Sequence, residues 1–445
     1  IINLTDNFDN NIYSMKKTGI ILAMLLVLLL VLLYSSVLST DDAASTDIVV
    51  DLNTIEQRDF RLLDSVIVAA SSQYTANDLK RFIQGDHYRE AWSTPIKVPV
   101  VYLDTLFGGT KVIEEGGGKQ TNSLTLMGGN GIVYTLRSIA KNPDALVPDY
   151  VRFLGLENIV IDGVSAQHPY GAWIAAEMAE ALNILHTHPK AVFIPKQTSL
   201  EHYNDAYGNK LYWLEYETEG SKNWTAYKDV VELIDTEALQ ELKLKYGKKV
   251  KIHESQLVRS RLFDLVIGDW DRHVKQWGWA VVKRNNEFIG IPIPSDRDNA
   301  FFDIDGIVPQ IVSSKNVEPH MRPFKPKIDY ISGLVYPFDR YFLYATPESI
   351  FLEEARYIQK NLTDTLIEEA LAKWPHSLRV LNGDTIAAKI KRRRDDLHEY
   401  ALEFKKIIEE QGVLSEPLKD SEDLELPLSL IACFSCDINP PTVRD

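Results

Sequence analysis

Two short acidic turns, about 25 residues apart, hold the side chains best suited to catalysis. Residues 269–273 read Asp-Trp-Asp-Arg-His, and residues 296–299 read Asp-Arg-Asp-Asn. The alternating apolar segment between them is typical of a β-hairpin, which would let the two turns face each other across a cleft. Phosphoryl transfer needs a carboxylate that accepts a proton and other carboxylates that bind a divalent cation. The pattern therefore predicts this chemistry.

Asp271 is the candidate base of the first turn. A hydroxyl that receives a phosphoryl group needs a carboxylate to orient it and to accept its proton. Arg272 and His273 follow directly, and the charge of Arg272 could keep Asp271 ionised or meet a phosphate. The alternative is a structural helix end at which Asp269 and Asp271 pair with Arg272. The second acidic turn favours the catalytic interpretation.

Asp296 and Asp298 are the candidate metal ligands of the second turn. Carboxylates at the end of a strand suit Mg²⁺ or Mn²⁺, which prefer oxygen ligands. The alternative is a calcium loop that also uses Asp303 and Asp305. Its spacing departs from the EF-hand pattern, which requires glycine at the sixth position and glutamate at the twelfth.

A glycine-rich turn between two predicted strands is the candidate phosphate-binding loop. Glycines let backbone N–H groups approach phosphate oxygens. The turn matches neither a P-loop nor a dinucleotide-binding fingerprint, and a plain hairpin turn is the alternative. The candidate residues of this turn are Gly116, Gly117, Gly118, Gln120 and Thr121.

Arg137 and Lys141 lie four residues apart in one predicted strand and so share a face. One of them could hold the α- and β-phosphates of a nucleotide. The helix predicted for residues 171–185 offers Glu177 or Glu180 as the carboxylate partner. A solvated strand face is the alternative.

Three histidines, His168, His186 and His188, raise a different possibility, a metal-dependent hydrolase. Histidines two residues apart can share a face of a strand. The chain contains no His-Glu-x-x-His motif and no third ligand at a recognisable spacing. This alternative is therefore the weaker one.

Composition indicates a globular protein of one large domain or two lobes, since 445 residues are 45% hydrophobic and 25% charged. The net charge of −15 argues against nucleic acid as a partner, because phosphate binding needs a basic face.

Cys433 and Cys436 form a single CxxC pair, which excludes a four-cysteine zinc site within one chain. The pair is incidental, a local disulfide, or part of a metal site shared with another chain.

The N-terminal region predicts a membrane helix. Residues 19–38 contain no charged side chain and are long enough to cross a bilayer. Two lysines precede the run and two aspartates follow it, which places the bulk of the protein outside the cytoplasm. A cleaved signal peptide is the alternative. We expect residues 15–40 to form the anchor and residues 1–14 to be a leader without a role in the fold.

The remaining pattern predicts an α+β, two-lobed architecture. Alternating segments and glycine clusters dominate the first half, and helical periodicity dominates the second. Nucleotides often bind in a cleft between such lobes. The predicted segments are a stalk and helical lead-in at 41–92, a β-rich N-lobe at 93–220, a helical C-lobe at 221–411 and a poorly ordered tail at 412–445.

Residues 271–273, followed by Gln276 and a later acidic turn, resemble the atypical protein-kinase-like superfamily. Its members include HipA-type kinases, CotH-type spore-coat kinases, secretory-pathway casein kinases and phosphatidylinositol kinases. The resemblance implies a kinase-like fold that uses ATP with Mg²⁺ or Mn²⁺. It also implies that Asp271 is the base, that Asp296 or Asp298 binds metal, and that Gln276 takes the second ligand position.

The chain departs from the superfamily pattern at two positions. Gln276 replaces the usual Asn or Glu, and Arg137 stands where the family's strand lysine is expected. Arginine and lysine are not interchangeable at such sites, so Lys141 is the other candidate.

Across residues 75–410 the chain also resembles a group of bacterial envelope proteins, through the segments HYREAW, GGGKQTNSL, HPYGAW and KRRRDDL. Some members of that group adjoin a calcineurin-like phosphoesterase, whose metal-binding motifs this chain lacks.

These observations lead to one principal hypothesis and two alternatives. The principal one is a membrane-anchored, extracytoplasmic kinase-like protein that phosphorylates a hydroxyl group of a protein, lipid or sugar. The first alternative is a pseudokinase that binds a nucleotide without catalysis. The second is an envelope structural protein that binds calcium.

Overall fold

The computed structural model describes residues 2–38, 48–49, 59–117, 121–141 and 143–436. The strands in these ranges are β1 (Ile48–Val49), β2 (Ser65–Ala69), β3 (Ile96–Pro99), β4 (Thr110–Gly116), β5 (Ser123–Gly128), β6 (Val133–Ser138), β7 (Lys190–Ile194), β8 (Lys210–Tyr216), β9 (Val230–Ile234), β10 (Val250–Ile252), β11 (Trp277–Arg284) and β12 (Glu287–Pro294).

Helices α1 to α9 run through the first two thirds of the chain, and α10 to α17 follow the second acidic turn. They are α1 (Ile2–Leu38), α2 (Asp78–Gln84), α3 (Arg89–Ser93), α4 (Asp149–Phe153), α5 (Glu157–Asp162), α6 (Gly171–Ala181), α7 (Asn204–Tyr207), α8 (Thr236–Tyr246), α9 (Glu254–Ile267), α10 (Ile307–Val312), α11 (Pro337–Leu343), α12 (Glu348–Asn361), α13 (Asp364–Leu371), α14 (His376–Leu378), α15 (Asp384–Asp395), α16 (Leu397–Gln411) and α17 (Leu428–Ala432).

The first lobe is a five-stranded antiparallel sheet in the order β4-β5-β6-β8-β7, with α6 inserted between β6 and β7. Side chains alternate across the sheet. One face packs Leu124, Leu136 and Leu214 into a small core of its own. The opposite face carries Arg137 and Glu215, and the contacts of Arg137 show that this face meets the second lobe. The α+β architecture predicted from sequence is confirmed.

The second lobe contains its own four-stranded sheet in the order β10-β12-β11-β9. Strands β11 and β12 form a hairpin through Asn285 and Asn286, which both have positive φ, as a tight two-residue hairpin turn requires. The far end of the hairpin pairs Trp277 with Pro294. The segments before β11 and after β12 therefore lie side by side, as the alternating pattern predicted.

Helix α9 delivers the first acidic turn to this place. Most of its side chains are buried, and it ends at Gly268, which adopts φ 70° as a left-handed cap. A Cβ atom at residue 268 would lie 2.4 Å from the ring of Phe324, so glycine is required there. The chain leaves the helix directly into residues 269–273.

Helices α9, α12, α15 and α16 pack together in the large core. The apolar stripes of α12 and α16 supply Phe351, Ile358 and Phe404, all fully buried. This packing holds α9 in the large core.

Two predicted segments fold differently. Residues 65–69 form β2 instead of the expected helix and pair with β1 and β3. Residues 412–436 were expected to belong to a poorly ordered tail, yet they carry α17 and a disulfide between Cys433 and Cys436. Leu418 and Phe434 anchor this segment in the main core, which explains its order. Residues 437–445 lie outside the described ranges.

Helix α1 begins at Ile2, ahead of the anchor predicted for residues 15–40. Its segment Lys16–Val37 is long and apolar enough to cross a membrane, and little of it is buried against the protein. Its last turn touches the globular body.

Candidate functional site

The two acidic turns meet through a short chain of polar contacts. Asp271 Oδ1 lies 3.7 Å from His273 Nε2, which lies 3.4 Å from the amide nitrogen of Gln276. The same nitrogen donates to Asp296 Oδ2 at 3.3 Å. The backbone supports this arrangement, since Ser295 N–H donates to the carbonyl of Gln276 at 3.0 Å. The structure thus brings together four of the residues selected from sequence.

Asp271 is half-buried, with 26% of its side chain exposed, so an outside hydroxyl can reach it. His273 Nδ1 accepts the N–H of Lys275, so a neutral ring carries its proton on Nε2, the atom that faces Asp271. The approach of the Gln276 amide nitrogen to Nε2 is then a contact between two donors and not a hydrogen bond. Burial lowers the pKa of His273, although Asp271 opposes that shift. A neutral His273 can therefore orient the carboxylate of Asp271 without neutralising it.

Arg272 points away from the cleft and is fully buried. Its Nε lies 3.1 Å from Asp264 Oδ2, and its other nitrogens donate to the carbonyls of Ser295 and Gln276. The expectation that Arg272 meets a phosphate is therefore wrong. It joins the two turns from within as a positioning residue.

Asp264 on α9 is the centre of this buried network, and sequence reasoning missed it. Three guanidinium groups surround its carboxylate, those of Arg261, Arg272 and Arg297, each at 3.1 Å. Its signal in the sequence was an acidic residue within a buried helical run, three residues after Arg261 and so on the same helix face. One buried carboxylate thereby ties the helix to both acidic turns.

Asp269 is also buried, and its carboxylate makes no hydrogen bond within the described residues. Burial raises the pKa of Asp269 to about 7, and Arg272, 3.7 Å away, opposes the shift. A carboxyl group with this pKa exchanges its proton near neutral pH.

Arg137 and Lys141 face the second acidic turn. One Arg137 nitrogen contacts Asp296 and lies 3.2 Å from Asp298 Oδ2, and Lys141 Nζ lies 3.1 Å from the same oxygen. Lys141 follows the end of β6 and does not belong to the strand, contrary to expectation. Both cations nevertheless reach one carboxylate. Burial alone would raise the pKa of Asp298, but Arg137 and Lys141 outweigh it and the pKa is lowered.

The carboxylate partner of Arg137 is Glu215 on β8. Arg137 Nη2 lies 2.7 Å from Glu215 Oε2, and the hydroxyl of Thr187 donates to the other carboxylate oxygen of Glu215 at 2.9 Å. The expectation that Glu177 or Glu180 pairs with Arg137 is wrong, because β8 lies next to β6 and offers a closer acid. A glutamate within the apolar run 211–216 was the missed signal. Burial raises the pKa of Glu215, with Arg137 opposing.

The glycine-rich turn connects β4 and β5 at the end of their hairpin. Gly116 closes β4, Gly117 has φ 129°, and Thr121 is half-buried. A Cβ atom at residue 117 would lie 2.3 Å from the carbonyl oxygen of Thr121, which explains the glycine. Gly118 and Gln120 lie outside the described residues.

The second turn offers oxygens that suit a small divalent cation. Asp298 Oδ1 is buried and finds no hydrogen-bond partner in the described part of the chain, and Asp296 supplies carboxylate oxygens nearby, while Gln276 turns its amide nitrogen toward Asp296. This set fits Mg²⁺ or Mn²⁺. The calcium loop does not assemble, because Asp303 pairs with Lys389 and Asp305 accepts the N–H of residue 86.

The histidines form a separate group. Glu180, His186 and His188 come close enough to hold a metal ion, which supplies the third ligand that sequence reasoning did not find. However, His186 Nδ1 accepts the N–H of His188, so a neutral ring carries its proton on Nε2 and donates it to Glu180 at 2.9 Å. This hydrogen-bonding pattern favours a structural triad. His168 packs between Tyr88 and Trp374, apart from this group.

Little space remains between the two lobes. The cavities beside Asp296 and beside Lys141 each measure about 10 Å³. A cavity of about 460 Å³ opens next to His273, and one of about 600 Å³ opens next to Thr218 and Glu219, just past the end of β8. The ion pairs of Arg137 join the two lobes where they meet, and the larger cavities lie beside His273 and beside Thr218.

No family model matches this chain, and no curated protein matches it in sequence. Among solved structures, it is similar to the crystal structure of CtkA, a proinflammatory kinase of Helicobacter pylori. The two share 14% sequence identity and a TM-score of 0.38, with 69% of this chain and 99% of that chain covered. At this distance the likeness does not carry a function across.

Proposed function

We propose that the chain is a kinase-like phosphotransferase that moves the γ-phosphate of ATP to a hydroxyl acceptor. The observation that carries the proposal is the contact chain from Asp271 through His273 and Gln276 to Asp296. It sets a half-exposed carboxylate beside a carboxylate turn that fits a divalent cation. The arrangement meets the requirements of phosphoryl transfer, in which positioning and charge stabilisation do most of the work.

In the proposed reaction, Asp271 orients the acceptor hydroxyl and accepts its proton as the oxygen attacks the γ-phosphorus. The bond from that phosphorus to the bridging oxygen of the β-phosphate breaks, and ADP leaves. His273 holds Asp271 in place. A bound Mg²⁺ or Mn²⁺ would neutralise phosphate charge, and Asp296, Asp298 and Gln276 are its proposed ligands.

Arg137 and Lys141 are the proposed phosphate-binding cations. Protein kinases place the corresponding lysine on the third strand of the N-lobe sheet and follow that strand with a helix. Here β6 is the third strand of its sheet in sequence, and the helices α4, α5 and α6 follow it before β7. The glycine-rich turn of the β4–β5 hairpin would cover the nucleotide. The acceptor would enter from the 460 Å³ cavity beside His273.

We further infer that α1 anchors the protein in a membrane with the globular body on the extracytoplasmic side. The apolar segment Lys16–Val37 supports the anchor, and the two lysines at its start support the orientation. The acceptor class, whether protein, lipid or sugar, stays open in this proposal.

The deciding experiment uses the full chain in detergent with labelled ATP and Mn²⁺. Asp271→Asn should lower phosphoryl transfer by about 10²–10⁴-fold, the usual contribution of a general base. The matched control is Asp205→Asn, because the Asp205 side chain is 99% exposed and far from the site in sequence. Transfer that survives in Asp271→Asn would contradict the assignment of the base.

One observation favours a second function, a nucleotide-binding pseudokinase. Arg137 pairs directly with both proposed metal ligands, Asp296 and Asp298, and so competes with the divalent cation that transfer requires. If the wild-type chain shows no transfer but ATP raises its melting temperature, the binding function is correct. If ATP and Mn²⁺ change neither transfer nor melting temperature, both proposals fail.

A further inference from the structure

Several large apolar side chains are exposed on the globular body near the point where α1 joins it. Phe153 is 90% exposed, Tyr150 70% and Phe82 62%, and the end of α10 adds more. We name this surface the juxtamembrane patch. It consists of Phe82, Tyr150, Phe153, Leu154, Ile311 and Val312.

The elements that carry the patch surround the last turn of α1. The hydroxyl of Tyr34 donates to the carbonyl of Leu154 at 2.9 Å, and Ser36 accepts from Gln84 of α2 at 2.9 Å. Helices α2 and α10 contact each other, and Gly306, which precedes α10, lies so close to Gly85 that a Cβ atom there would clash. Helices α2, α4 and α10 thus meet around one exit point.

The position of these contacts along α1 sets the height of the patch relative to a bilayer. The apolar segment Lys16–Val37 has 22 residues. At about 1.5 Å per residue, the length of such a helix is close to the thickness of the hydrocarbon core of a bilayer. Tyr34 and Ser36 fall in its last turn, within about 5 Å of its end. Because Tyr34 and Ser36 contact the body within this turn, surfaces of the body beside the turn lie at the membrane boundary.

We propose that the globular body rests on the lipid bilayer through the juxtamembrane patch, in addition to its anchor. The patch has the chemistry of a membrane-interface surface, with aromatic rings and aliphatic side chains beside an anchored helix. In water these exposed side chains would be costly, whereas at the boundary of headgroups and acyl chains they lose contact with water. This inference depends on α1 crossing the membrane, as proposed above.

A consequence is that the body cannot rotate freely about α1. Two attachments, a spanning helix and a surface contact, hold one face of the protein against the lipid. The cleft then keeps a constant orientation and height above the bilayer.

The test uses the full chain in lipid nanodiscs that contain a phospholipid with a photoactivatable diazirine near the glycerol end of its acyl chain. Mass spectrometry maps the labelled residues after illumination. We expect label on α1 and at residues 82, 150–154 and 311–312. Leu62 and Val380 are as exposed as the patch residues and serve as internal controls that stay unlabelled.

A triple variant, Phe82→Ser with Phe153→Ser and Ile311→Ser, should lower labelling at Tyr150 and Val312 several-fold while α1 labelling stays unchanged. Val380→Ser is the matched control and should change neither. Label confined to α1 would overturn the patch while leaving the anchor intact. Absence of label on α1 would overturn the anchor itself. Crosslinks between two protein chains at the patch, without lipid, would assign the surface to self-association and contradict the proposal.

Discussion

At the residue scale, buried charge determines how the site is built. Asp264 accepts contacts from three arginines and so fixes both acidic turns to α9. Such a network is costly to desolvate and keeps its geometry only while every charge has a partner. Asp269 sits at its edge with a raised pKa. The residues that do the proposed chemistry are thus held by charged residues buried in the protein interior.

The raised pKa of Asp269 predicts a pH-dependent stability. The folded-state pKa of about 7 exceeds the ordinary value of 3.8, so the folded chain binds the extra proton between these values. The free energy of unfolding therefore falls as pH rises from about 4 to about 7. One pKa unit corresponds to about 1.4 kcal/mol, so the effect reaches a few kcal/mol at most.

Asp269→Asn tests this prediction, because the variant is neutral at every pH. It should resemble the wild type at pH 5 and lose less stability than the wild type between pH 5 and pH 8. Urea unfolding at each pH measures the difference, and Asp205→Asn provides the control. Parallel pH profiles for the wild type and Asp269→Asn would refute the raised pKa.

At the element scale, the ion pairs of Arg137 join three pieces of backbone. Arg137 on β6 contacts Glu215 on β8 and both aspartates of the second acidic turn. Glu215 is 6% exposed, so without Arg137 its charge would lack a partner in a poorly solvated place. The first lobe and the second acidic turn are therefore coupled through one side chain.

Arg137→Met should lower the free energy of unfolding by about 3–5 kcal/mol, the usual cost of breaking a buried ion pair. The double variant Arg137→Met/Glu215→Met should recover part of that loss, because it removes the unpaired carboxylate as well. Lys111→Met, on the exposed side of β4, is the control. Denaturant unfolding measures these three variants and Glu215→Met alone, and additive effects of the two substitutions would contradict the coupling.

Sequence periodicity predicted the elements whose buried side chains recur at a regular spacing. The β11–β12 hairpin and helices α6 and α9 follow from their apolar spacing, and the hairpin implied that the two acidic turns meet. Glu215 as the partner of Arg137 could not be predicted in the same way, because pairing depends on which strands are neighbours. The strand at β2 was missed because its apolar residues also fit a helical period over a short run.

At the scale of the whole molecule, the last described residues complete the fold. The segment 412–436 returns across the helical lobe and buries Leu418 and Phe434 in the main core. Its proline-rich and acidic composition predicted disorder. Leu418 and Phe434 are nonetheless buried, and local composition does not reveal that.

Phe434→Ala should therefore lower the free energy of unfolding by about 3–5 kcal/mol, as expected for a buried aromatic side chain. Phe434 is 1% exposed, whereas Leu428 in the same segment is 63% exposed. Leu428→Ala is the matched control and should change stability by less than about 0.5 kcal/mol. Thermal and urea unfolding of the full chain measure both. Equal effects of the two substitutions would show that the segment does not belong to the cooperative core.

Arg137 and Lys141 both pair with Asp298. This pairing would link the binding of ATP thermodynamically to the binding of the divalent cation. While Asp298 pairs with Arg137 and Lys141, its paired oxygen cannot bind a metal ion. In the same state the two cationic side chains cannot bind a phosphate. ATP, by drawing the cations away, would release the aspartates, and a divalent ion would in turn release the cations. Linkage then requires each ligand to tighten the other by the same factor. Calorimetric titration should show Mn²⁺ binding more tightly with ATP present, in a reciprocal exchange of counterions.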